Sequence, residues 1–280
     1  MSILDIFRKK DTPETTATQD RKILVMSDLH CGHRCGLTPP KWWDNEVFKW
    51  GKLQRVLWNH YWTTLQEWKP FDTVLVNGDL IAGKMMKFGS TELITADRQE
   101  QADMAADCIE ETGCKRVRMA YGTPFHTGSG EDHENTVRDK LLSRGVDAKI
   151  KGHYFGTING KNINMKHKIE ASTVPYGVDT PLLKHILWNR IWYATGVQDK
   201  ADILIRSHVH YHERVKHDGC HGVITPSLQG LGDKYGSRQC VRRVDFGLLL
   251  CEISAGGEIS WKESILEGTA QRDESEVLFA

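Results

Sequence analysis

Lys22-Ile-Leu-Val-Met-Ser-Asp-Leu-His30 opens the folded part of the chain. Its apolar run lacks polar alternation, the pattern of a strand buried on both faces. It ends on two side chains that carry chemistry, Asp28 and His30. The same grammar recurs downstream. Thr73-Val-Leu-Val-Asn77 runs into Gly78-Asp79, and Arg116-Val-Arg-Met-Ala-Tyr121 into Gly122-Thr123, with His126 three residues on. Ala201-Asp-Ile-Leu-Ile-Arg206 runs into Ser207-His208-Val209-His210, and a strand-like segment over 161–169 carries His167 near its end.

Helical spacing fills the intervals. Trp50, Gln54, Leu57, Trp58, Tyr61, Leu65 and Trp68 recur at three or four across 44–69. Asp44 is the expected cap of that helix and Pro70 its stop. Further helices are predicted over 91–111, stopped by Gly113, over 131–143, stopped by Gly145, and over 181–195. Strand–helix–strand order implies parallel strands with right-handed crossovers. In the second half, 147–158 and 161–169 read as strands with Asn/Gly turns, and strand-like segments continue to about Glu263. The expected architecture is α/β: a two-sheet αββα sandwich with mixed sheets and helices outside. Residues 1–20 read as a flexible polar arm, 21–266 as the folded domain and 267–280 as a polar tail.

Composition narrows the function. The 280 residues carry 37 Lys+Arg and 37 Asp+Glu, a net charge of zero. That argues against a strongly basic nucleic-acid coat. No stretch approaches the ~18 apolar residues of a membrane span, and no secretory signal is visible. A cytoplasmic protein is the expectation. The 7 cysteines are scattered without a CxxC pair, so a disulfide framework is not expected. A small zinc site of Cys31 and Cys35 with His30 and His33 is the sharper reading of the first two; reduced thiols are the bland one.

The residues after the buried strands form a ligand inventory. Residues i and i+2 of a strand point to one side, so Asp28/His30 and His208/His210 are expected as same-side pairs. Two carboxylates and four imidazoles suit Mn, Fe, Zn or Ni better than Mg or Ca. Six such groups exceed the needs of one tetrahedral ion and suit two ions sharing a carboxylate, a pair suited to phosphoester hydrolysis.

Ser27-Asp28-Leu29-His30, Asn77-Gly78-Asp79, the Gly122-led block, His167 and Ser207-His208-Val209-His210 together resemble the calcineurin-like metallophosphoesterases. That family's order is DxH, GD, GNH, a lone His, then GHxH, and all five blocks occur in order from 28 to 210. The resemblance implies that Asp28, His30 and His210 hold one divalent transition metal, with manganese foremost. It implies that Asp79 bridges to a second held by His167 and His208. It also implies attack by metal-bound hydroxide on phosphorus. The third block departs from the pattern: Gly122-Thr123-Pro124-Phe125-His126 stands where GNH is expected. Thr123 then supplies a neutral oxygen in place of the Asn amide. His126 acts at the leaving group or as a ligand. Variants of this kind look like those of phage-borne members, which would place the protein in a host cytoplasm. Ser207 for the Gly of GHxH is a milder departure.

The partners implied are phosphoesters. The arginine-bearing blocks of protein phosphatases are absent, which leaves nucleotides, small phosphodiesters and nucleic-acid ends. A binding protein that has lost turnover, and a nuclease, are the alternatives. His60, His153, His185, His217 and His221 read as ordinary surface or core histidines. His33 and His212 stand close enough to the motifs to line the pocket, and His133 reads as part of a solvated helix start. The tryptophans at 42–68 are expected in the core rather than as a base-stacking platform. Gly128-Ser129-Gly130 reads as a capping loop and not a phosphate cradle.

Overall fold

A computed structural model describes residues 18–43, 48–84, 90–128, 132–172, 174–230 and 244–266. Two sheets face each other. The first has the order β11-β10-β1-β2-β3-β4. Its members are β1 (Arg21–Met26), β2 (Thr73–Asn77), β3 (Arg116–Ala120), β4 (Asp147–Lys151), β10 (Phe246–Ile253) and β11 (Ile259–Leu266). β1 to β4 are parallel, while β10 pairs antiparallel with β1. The second sheet has the order β5-β6-β7-β9-β8. It contains β5 (Tyr154–Ile158), β6 (Lys161–Lys168), β7 (Ile203–Ser207), β8 (Glu213–His217) and β9 (Cys220–Ile224). Its central strands β6, β7 and β9 are parallel.

The unbroken apolar runs follow from this layering. In β1, Ile23 and Val25 point between the sheets, where they meet Ile163, Met165, Ile205 and Val223. Leu24 and Met26 point the other way, into the larger core under the helices. That outer layer contains α1 (Phe48–Trp68), α2 (Arg98–Glu110) and α4 (Asp132–Ser143). A single turn, α3 (Pro124–Thr127), lies near the site, and α5 (Thr180–Ala194) covers the second sheet. The αββα order expected from the sequence is the order found.

Two details differ from expectation. The helix predicted from 91 begins at Arg98, because the Asp97 carboxylate accepts from Gln99 N and caps it there. The run 147–158 is two strands in different sheets: β4 closes the first sheet and β5 opens the second. The Asp44 cap falls outside the described residues, as do residues 1–17 and 267–280 of the two terminal segments. No helix among the described residues is long and apolar enough to cross a membrane.

Candidate metal centre

Parallel strands present their C-terminal ends along one edge, and ligands collect there. Asp28 and His30 follow β1, Asp79 follows β2, and Thr123 and His126 follow β3. His167 ends β6, and His208 and His210 follow β7. The first five come from one sheet and the last three from the other. The structure brings all eight together.

The paired residues do not converge by strand alternation. Asp28, His30, Asp79, His208 and His210 all adopt left-handed backbone, with φ of 51°, 43°, 51°, 82° and 59°. Each lies beyond its strand, in a corner that few residues other than glycine tolerate; Asp and His are among those few. Hydrogen bonds lock the corners: Asp28 N donates to Gly78 O and His30 N to Asp79 O, both at 3.0 Å. The glycines beside Asp79 are dictated by close approach. A Cβ at Gly122 would stand 2.1 Å from Asp79 Oδ1, and one at Gly78 would stand 2.6 Å from His167 Nδ1.

Two clusters result. Around Asp28, Oδ1 stands 3.3 Å from His210 Nε2 and 3.8 Å from His30 Nε2, and the two imidazole nitrogens are 3.2 Å apart. Around Asp79, Oδ2 stands 3.1 Å from His167 Nε2 and 4.0 Å from His208 Nδ1. A third grouping adds His126 to His30 and Asp79, with ligand atoms within 4.8 Å of one another.

The residues fit metal ions. Asp28 Oδ1 is buried and has no hydrogen-bond partner, although His210 stands within 3.3 Å. Such an orphaned carboxylate oxygen is costly unless a cation meets it. The tautomers agree. His167 Nδ1 donates to Asn77 O at 2.6 Å, and His126 Nδ1 to Ala82 O at 2.8 Å. Each bond turns the lone pair of Nε2 toward the cluster, the usual outer-shell arrangement of a ligating imidazole.

The carboxylates and imidazoles act strongly on one another across the clusters. Burial would raise both carboxyls. For Asp28 the facing His167 and His210 imidazoles outweigh it and hold the group below its usual range. For Asp79 the His167 charge and hydrogen bond do the same, with the neighbouring His208 adding to them. His167 resists its own burial and is pushed up to about 10 by Asp79 and Asp28. Burial pushes His30 and His126 down; for His30 the neighbouring His126 adds to it.

Several supporting residues were not evident from the sequence. Ser207 is buried, and with Thr225 it forms a hydrogen-bonded chain beneath the site. Asn77 Nδ2 donates to Ser207 Oγ at 2.6 Å. Ser207 Oγ and Thr225 Oγ1 are 2.6 Å apart, and Thr225 Oγ1 and Ser27 Oγ 2.7 Å. Ser27 Oγ donates to Asp28 Oδ2 at 2.6 Å. Asn77 is the donor at one end and a carboxylate the acceptor at the other, while Pro226 O at 3.1 Å from Ser27 Oγ and Arg206 O at 3.3 Å from Thr225 Oγ1 are further acceptors along the chain. The chain occupies Oδ2 and leaves Oδ1 for the cluster. Glu134, next to His133 in the expected solvated helix start, is fully buried. Its Oε1 accepts from Leu80 N at 2.9 Å and its Oε2 from Gly122 N at 2.8 Å, clamping the loops that carry Asp79 and Thr123. Burial, followed by the Asp79 charge, pushes its carboxyl up to about 8.

Other expectations resolve cleanly. Thr123 reaches the site, but its hydroxyl donates to Asp79 at 3.2 and 3.3 Å. Cys31 Sγ faces Leu37 O at 3.2 Å and Cys108 Sγ at 3.9 Å. Neither Cys31 nor Cys35 joins a ligand group among the described residues. His33 is buried with Nδ1 accepting from Cys35 N, and His212 Nδ1 donates to Ile224 O; neither joins the clusters. Trp58 and Trp68 lie in the core and Trp42 and Trp43 pack against it, but Trp62 faces outward, 46% exposed. Lys166 and Lys168 point outward, and Arg206 bonds His185 under α5.

Several solved structures align over most of the chain. A novel archaeal phosphodiesterase aligns at 12% identity and TM-score 0.47, over 88% of this chain and 99% of that one. Zinc-bound Vps29 from Entamoeba histolytica aligns at 16% and 0.43, over 87% and 98%. Vps29 from Cryptosporidium parvum aligns at 13% and 0.46, over 89% and 98%. No family model and no curated protein sequence matches the chain.

Proposed function

We propose that this protein is a metal-dependent phosphoester hydrolase with a dinuclear centre. Asp28, His30 and His210 would hold one ion, and Asp79, His167 and His208 the other. The observation that carries the reading is the orphaned Asp28 Oδ1 facing imidazole nitrogens, with a second carboxylate–imidazole cluster beside it. Divalent transition metals, manganese foremost, would supply a water of lowered pKa and neutralise charge on the phosphoryl oxygens. The chain's own residues do the rest. The donor chain through Thr225 fixes Asp28, and Glu134 fixes the loop on which Asp79 stands. Asp79 is further held by Thr123 N at 2.6 Å. His126 is locked by Ala82 O with Nε2 toward the centre. A proton at that Nε2 is placed for the leaving oxygen of an ester, and burial makes the imidazolium the stronger acid. The substrate class we favour is a phosphodiester or nucleotide, in keeping with the missing protein-phosphatase arginines.

The test joins metal content with turnover. Elemental analysis should find two ions per chain. Hydrolysis of bis-p-nitrophenyl phosphate with Mn should exceed that of p-nitrophenyl phosphate and vanish in Asp79→Asn and His208→Ala. Full activity in either variant overturns the reading. The Thr123 hydroxyl, already spent on Asp79, favours one alternative: a protein that binds metal but does not turn over. Two bound ions with no hydrolysis of either ester would establish it.

A further inference from the structure

Helix α5 carries a face that the described residues leave uncovered. Leu182, Ile186 and Asn189 are buried against the second sheet. On the opposite side Leu187 is 60% exposed, Trp188 46%, Ile191 41% and Trp192 36%. Their spacing, Leu-Trp-x-x-Ile-Trp, sets them in one stripe. The Trp188 and Trp192 rings stack at 5.6 Å. Arg190, the one charged residue between 186 and 198, is drawn off the stripe: Nε bonds Asp218 Oδ2 at 2.6 Å and Nη1 bonds Ala201 O at 3.1 Å. Scattered apolar side chains are ordinary on a surface; four in one uncharged stripe, two of them tryptophan, mark an interaction site.

We propose that this face of α5 closes against the same face of a second copy, about a two-fold axis. A two-fold interface must be complementary to itself, and this stripe is. Crossed antiparallel about a point between residues 189 and 190, Leu187 of one copy comes level with Trp192 of the other, and Trp188 with Ile191. Each indole then meets an aliphatic side chain. The area is sufficient. With roughly 150–250 Å² per aromatic side chain, the stripe and its flanks expose on the order of 500 Å² per copy. Pairing removes on the order of 1,000 Å², where specific interfaces begin. A lipid surface fits less well, because the basic groups beside the stripe are neutralised: Lys184 pairs with Glu170 at 3.2 Å and Arg190 with Asp218.

Sedimentation velocity on the full chain tests this, from about 1 to about 100 μM. The expected species is twice the 31.9 kDa chain mass. Trp188→Glu and Ile191→Glu should each weaken the dimer about tenfold or more, with unchanged far-UV circular dichroism and unchanged metal content. Leu187→Lys should also dissociate it, and adding Trp192→Glu should restore it. A monomer at every concentration overturns the proposal. So does a dimer indifferent to these substitutions, or a monomer that binds phosphatidylcholine–phosphatidylglycerol vesicles through Trp188. None of these residues belongs to the metal centre, so loss of hydrolysis would leave this result standing.

Discussion

Asp79 shows how tightly one residue can be specified. Its Oδ1 takes the Thr123 amide at 2.6 Å, its Oδ2 faces His167, and Gly122 leaves room for it. Gly122→Ala should therefore act on the metal centre and not only on stability. The added methyl cannot coexist with Asp79 as placed, so Mn titration by calorimetry should lose one of two binding events. Thr225→Val interrupts the donor chain and leaves Ser27 and Ser207 without their middle partner. A lost hydrogen bond in a buried network costs about 1–3 kcal/mol, and the measurement is the denaturant midpoint of the metal-free protein. That these residues would gather at one place was legible, since each block stands after a buried run. The supports were not. Asn77 and Ser207 are 130 positions apart, and Ser27 and Thr225 are 198 apart. No local pattern marks a bond of that separation.

At the scale of elements, the apolar runs declared the strands and the three-to-four spacing declared the helices. What the run 147–158 did not show is its division between the two sheets. β4 and β5 are separated only by Gly152 and His153, yet they belong to different layers. Nothing in that dipeptide announces the crossing. Glu134 is a similar case: an acidic residue in the first turn of α4 has the composition of a solvated start, and only the packing shows it fully buried. Its two oxygens both accept backbone protons, so Glu134→Gln sets an amide donor against an N–H. That variant should lower Mn affinity nearly as much as Glu134→Ala, a failure of conservative rescue that calorimetry can detect.

Across the whole molecule, each proposed ion takes ligands from both sheets: Asp28 and His30 with His210, and Asp79 with His167 and His208. Metal binding should therefore report as global stability. At a free Mn concentration a hundredfold above Kd, the gain is about 2.7 kcal/mol per site, seen as a rise of several degrees in Tm that a chelator reverses. A second global lever lies far from the metals. Burial, then the Arg206 charge, pushes His185 down to about 4 from an ordinary 6.5. Between those values the unfolded chain holds the proton and the folded one does not. Stability should thus fall as pH drops from about 6.5 to about 4, by at most about 1.4 kcal/mol per pH unit. Denaturation of the metal-free protein at several pH values should show a shallower slope in His185→Gln. The left-handed corners carry one more consequence. The side chains that such corners admit at least cost are Asp, Asn, His and Gly, and the first three of these also bind metals. Backbone shape and coordination chemistry thus draw on one short alphabet. A change at position 28, 79 or 208 that spares the fold would keep to those few letters, even after the metals had ceased to matter.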